Sequence, residues 1–73
     1  MRDFYNEIKS LRHKQPFVPF AIVLKDGRKL PVHDKWKVAC IEYRGGVMDE
    51  QDHLTQFKVS EIADIELLEQ PVS

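Results

Sequence analysis

The chain has 73 residues, 42% of them apolar and 32% charged, with a formal net charge of −1 at neutral pH. A chain this short forms one domain near the lower limit for a self-sufficient core, burying only about 60% of its unfolded surface. The apolar fraction excludes a disordered chain, and no apolar run approaches the roughly 18 residues that span a bilayer.

Charge rather than an apolar signal core follows Met1, so the expected location is the cytoplasm, with no membrane contact. Cys40 is the single cysteine, which rules out an intramolecular disulfide and leaves only histidines and carboxylates for any zinc site. The near-neutral balance conceals an asymmetry. Residues 1–37 carry nine Lys and Arg against four acids, and residues 38–73 carry two against eight. If the halves stay apart in space, the basic one attracts anions or the acidic face of another copy. If folding interleaves them, that field disappears.

In chain order, residues 3–14 place Phe4, Ile8 and Leu11 on one stripe, which predicts an amphipathic helix. Asp3 suits its N-cap, Arg12, His13 and Lys14 suit its C-terminal dipole, and Pro16 ends it. Pro16 and Pro19 then hold Phe17 and Val18 in an extended connector.

Phe20, Ile22 and Leu24 alternate, as do Leu30 and Val32 beyond Asp26-Gly27, and this pattern selects the hairpin register. A two-residue loop pairs Val23 with Leu30 and splits the apolar set over both faces. A three-residue loop, Lys25-Asp26-Gly27, pairs Ile22 with Leu30 and Phe20 with Val32 and gathers all five on one face. The second register is therefore predicted, with Gly27 in the left-handed conformation of a bulged turn. It leaves Ala21, Val23 and Pro31 on the opposite face. Pro31 cannot donate a ladder hydrogen bond and marks an edge.

Residues 38–44 and 47–50 read as a second hairpin turning on Gly45-Gly46, and Thr55, Phe57 and Val59 alternate as a further strand. Residues 60–63 suit a helical turn capped by Ser60, and Ile65 and Leu67 belong to a last strand. The fold class expected is mainly β with one N-terminal helix, as a small bent-sheet SH3-like or Sm-like barrel of about five strands. It forms a single domain over 1–73, with the helix in 1–15, the barrel in 16–69 and a frayed tail at 70–73.

Two resemblances follow from these residues. Pro16-Phe17-x-Pro19-Phe20-x-Ile22-x-Leu24-x-Asp26-Gly27-Arg28, with Val32-His33 and Ile62-x-x-Ile65-Glu66, resembles a group of small bacterial proteins of uncharacterised role. The helix, then Val18-Pro19-x-x-Ile22-x-Leu24-x-Asp26-Gly27 and later Phe57-Lys58-Val59-Ser60-x-Ile62, is similar in layout to bacterial Sm-like RNA chaperones. Those chaperones form rings and bind RNA. Their motif near the end reads Tyr-Lys-His, so Lys58 is the position at which the resemblance implies an RNA contact.

No nucleotide, phosphate or metal motif stands out, and a barrel this small fills its interior with its own side chains, so neither an enzyme nor a cofactor is expected. His33-Asp34 and Asp52-His53 would approach a metal site only if their two bends met. Cys40, between Ala39 and Ile41, reads as a buried, unreactive strand residue. Trp36, between Lys35 and Lys37, either closes one mouth of the barrel or anchors a partner. The expected function is a protein-interaction or self-assembly module, using Ala21, Val23, Pro31 and Trp36 on a protein partner or a second copy. The alternative is RNA binding through Lys35, Trp36, Lys37 and Lys58.

Overall fold

The computed structural model describes residues 3–68. The expected frayed tail at 70–73 lies outside them. Helix α1 (Phe4–His13) is followed by strands β1 (Phe20–Leu24), β2 (Lys29–Val32), β3 (Val38–Cys40), β4 (Arg44–Met48), β5 (Leu54–Lys58) and β6 (Ile62–Leu67). Single 3-10 helical turns, Lys35–Lys37 and Val59–Glu61, precede β3 and β6.

The helix starts where its cap permits, with the Asp3 carboxylate accepting from the Asn6 N–H at 3.2 Å. Its stripe is buried as the periodicity predicts: Ile8 is 1% exposed, and Phe4 and Leu11 pack against the core. At its last turn Arg12 Nε donates to the Lys35 carbonyl at 3.2 Å, tying helix to 3-10 turn.

In the first hairpin Phe20 faces Val32 and Ile22 faces Leu30. The Gly27 N–H bonds the Leu24 carbonyl at 2.9 Å, the Leu24 N–H bonds the Arg28 carbonyl at 2.8 Å, and Gly27 has φ +95°. The bulged three-residue loop is thus the register that collects the apolar residues. Strand β6 pairs with the other side of β1, giving the antiparallel order β2-β1-β6, with β2 and its Pro31 at an edge.

The second hairpin departs from expectation. Gly45 and Gly46 lie inside β4, opposite Cys40 and Ala39, and the chain reverses at Glu42-Tyr43, where the Ile41 N–H bonds the Arg44 carbonyl at 2.8 Å. This register pairs Val38 with Val47 and puts both in the core. The helical turn also begins one residue before the predicted Ser60. Its orphan N-terminal donor is answered by Glu61, whose carboxylate accepts from the Lys58 N–H at 2.9 Å.

Among the described residues the strands form two three-stranded sheets, β2-β1-β6 and β3-β4-β5, and not the closed barrel expected. The 3-10 turns interrupt the ladders. At the first, the Asp34 carboxylate takes the Trp36 N–H at 2.9 Å and the Asp34 carbonyl takes the Lys37 N–H at 2.9 Å. The two sheets nevertheless share one core: Phe20, Ile22, Leu24, Leu30, Val32 and Ile62 from the first meet Val38, Val47 and Phe57 from the second, with Ile8 from the helix. Each such side chain contributes about 1.5–3 kcal/mol on burial.

Candidate interaction surface

The basic and acidic halves of the chain are interleaved. Strand β6 pairs with β1, and the ion pairs Lys29–Glu66 and Lys37–Asp52, each at 3.3 Å, join one half to the other. Among the described residues the basic and acidic halves are therefore not held apart in space.

On the outer face of β2-β1-β6, Ala21 stands between Pro31 and Glu66, and Val23 stands between Lys29 and Asp64. Lys29 reaches from β2 to Glu66 on β6, so their ion pair passes over the central strand. Ala21 is only 2% exposed and offers a partner no surface, contrary to expectation; Val23 is half-buried and Pro31 exposed. The helix stripe serves the core rather than this face.

Trp36 closes no mouth. Its ring is 74% exposed, with Lys35 Nζ 5.1 Å from the ring centroid. Lys37 is held by Asp52 at 3.3 Å. Lys58 lies at the far end of β5, opposite Arg44, whereas the 3-10 turn of Trp36 leads into Val38, which faces Val47 near the other end of β4. The four residues expected to meet RNA therefore form no single patch.

The first bend lies beside the 49–51 stretch, but Asp52 and His53 do not line the cleft between them. His33, Asp34 and Lys37 line that cleft, of about 610 Å³, with Pro31, Met48 and Asp49. Glu50 lines it too, and the other two carboxylates serve the backbone: Asp34 caps the 3-10 turn, and one Asp49 oxygen accepts from the Gln51 and His53 N–H groups at 2.8 and 2.9 Å. These bonds hold the Asp49 carboxyl below the ordinary aspartate range, the His53 N–H first. Among the described residues no three His, Cys, Asp or Glu side chains stand close enough to hold a metal.

Cys40 is half-buried rather than buried, with Sγ 3.3 Å from the Ile41 carbonyl, and burial pushes its thiol pKa up. It sits beside a surface that sequence reasoning missed. The outer face of β3-β4-β5 carries Ala39 on β3 with Ile41 just beyond it, Arg44, Gly46 and Met48 on β4, and Leu54, Gln56 and Lys58 on β5. Ile41 and Leu54 are 57% and 55% exposed. Gly46 leaves a recess between them, of about 340 Å³, that Leu54 overhangs. Arg44 and Lys58 are direct cross-strand neighbours of like charge at one end of this face.

No family model, curated protein or solved structure matches the chain. No helix among the described residues is long and apolar enough to cross a membrane.

Proposed function

We propose that the chain is a non-catalytic protein-interaction or self-assembly module of the cytoplasm, built on a bent-sheet fold of SH3-like or Sm-like type. The observation that carries this reading is the outer face of β3-β4-β5, where Ile41 and Leu54 stand more than half exposed around the Gly46 recess. Clustered apolar surface of this kind is what a partner covers. Tyr43, at the adjoining turn, is 75% exposed. Support for the finer fold is that the last strand, after a 3-10 turn, returns to pair with the first. A catalytic reading gains little from the cleft beside Pro31 and Met48, since two of its carboxylates, Asp34 and Asp49, are committed to turn N–H groups.

The second reading, RNA binding, has Trp36 in its favour, an exposed ring beside a lysine. It ranks lower because Lys37 is ion-paired and Lys58 stands apart. Native mass spectrometry of the protein purified from its own cells tests the first reading. A stoichiometric complex with a second copy or another protein is expected, and it should be lost on Ile41→Ser with Leu54→Ser. A bare monomer from both forms would overturn it.

A further inference from the structure

Of the chain's six aspartates only Asp26 is followed by glycine. In an Asp-Gly peptide the backbone nitrogen reaches the preceding side-chain carboxyl with the least hindrance, because glycine has no Cβ to crowd the approach. The first hairpin turns on this bond, and the turn engages both reacting groups. The Gly27 N–H is donated to the Leu24 carbonyl at 2.9 Å. Asp26 Oδ1 accepts from the Arg28 N–H at 3.0 Å, and Oδ2 accepts from Arg28 Nε at 2.8 Å. The Asp26 and Arg28 side chains are each 55% exposed, so water reaches the pair.

We propose that Asp26-Gly27 is the chain's site of spontaneous isoaspartate formation, closed in the folded chain by the hydrogen bonds on its two reacting groups and opened when the hairpin opens. The reaction needs only water. The Gly27 nitrogen attacks the carboxyl carbon of neutral Asp26; its proton and the carboxyl hydroxyl leave together as one water, and a five-membered succinimide closes. Water then adds at either ring carbonyl, restoring aspartate or leaving a main chain that runs through the Asp26 side chain. The folded turn opposes both halves of the first step. A hydrogen-bonded N–H gives up its proton less readily, and an ionised carboxylate has no hydroxyl to lose. Arg28 holds Asp26 in that ionised form, its N–H foremost and its guanidinium after it, so the carboxyl stays below the ordinary aspartate range. The consequence reaches the core. An isoaspartate adds one methylene to the backbone path of a three-residue loop, and the Leu24–Arg28 hydrogen bond that fixes the register depends on that loop's length.

Ageing the purified chain at neutral pH tests this, with the native protein, the protein in denaturant and native Arg28→Ala incubated side by side. Isoaspartate is counted by methyl transfer from S-adenosylmethionine, catalysed by a protein-isoaspartate methyltransferase. Peptide mapping places it, since the isomer changes retention at unchanged mass. It should form at residue 26 and not at the other five aspartates. The native rate should be at least roughly tenfold below the rate in denaturant, the equivalent of the turn hydrogen bonds that must break first. Arg28→Ala keeps the N–H bond to Asp26 and loses the guanidinium, so its native rate should rise roughly twofold or more, as for loss of a surface ion pair. Denaturant titration gives each chain's unfolded fraction, and the rise in Arg28→Ala should exceed what that fraction supplies. Equal rates in the native and unfolded chains would overturn the closed turn. A rise accounted for by unfolding would overturn the part given to Arg28, and isoaspartate formed chiefly at another aspartate would overturn the site.

Discussion

Gly45 stands opposite Phe57 in the β4–β5 ladder, and a Cβ on Gly45 would lie 2.9 Å from the Phe57 ring and 2.6 Å from the Ala39 carbonyl oxygen. One contact is with buried aromatic core and the other with backbone, so neither yields easily. Gly45→Ala should therefore destabilise by about 2 kcal/mol, within the range for overpacking. Gly46→Ala meets only the end of Leu54, at 2.9 Å, which can swing away, so its cost should stay below about 1 kcal/mol. Denaturant midpoints of the two variants check the contrast. Equal losses would mean that close approach at Gly45 is not what requires glycine.

The same pair of residues explains what was legible in the sequence and what was not. In the first hairpin, five apolar residues alternate on both sides of a single glycine, and only one register unites them. In the second, Gly45-Gly46 carries a strong turn signal, and glycine is chosen for turns and for close packing alike. A turn on Gly45-Gly46 would set Glu42 against Asp49 and leave Val38 without Val47. Testing each register against like-charge pairs and valine pairing would have pointed to Glu42-Tyr43. The outer face of β3-β4-β5 was invisible for the same reason, because no face can be assigned without the register. Exposure of Trp36 depends on tertiary packing that no local pattern encodes.

At Gly27 the constraint is conformational rather than steric. With φ +95° and no atom within 4 Å of the place a Cβ would take, Gly27→Ala should lose about 1 kcal/mol through backbone strain alone. Its structure should be otherwise unchanged. A variant as stable as the parent would show that the turn adapts by another route.

Asp49 makes the 49–53 turn sensitive to acid. The His53 and Gln51 N–H groups favour its ionised form, so its folded pKa lies below the ordinary 3.8. A group depressed in this way contributes stability that is present above its unfolded pKa and lost as pH falls through the folded value. Asp26, held down chiefly by the Arg28 N–H, acts in the same window. Stability should accordingly decline below about pH 4. Asp49→Asn should shrink that decline, leaving the part due to Asp26. Denaturant midpoints at pH 7 and pH 3 decide, and an undiminished drop in the variant would contradict the assignment.

The thiol of Cys40 is half-buried and its pKa is raised by desolvation, so the thiolate is scarce at neutral pH. Labelling of the native chain by a thiol reagent should be slower than that of the unfolded chain and should accelerate above the usual thiol range. Equal rates at neutral pH would show that the β3 edge opens freely.

Trp36 decides the ranking of the two functional readings. Its exposed ring provides a stacking surface, but a nucleic acid needs a continuous track of cations, and Lys37 is occupied by Asp52 while Lys58 lies at the other end of its strand. Asp34 and Asp49, which line the cleft with Lys37, add repulsion toward phosphates. Binding to labelled single-stranded RNA should be no tighter than roughly micromolar at physiological salt, the range of non-specific electrostatic contacts. Asp52→Asn releases Lys37 and should strengthen it, whereas Trp36→Ala should change it little. Submicromolar affinity that falls steeply with salt and disappears with Trp36→Ala would reverse the order, making RNA the ligand.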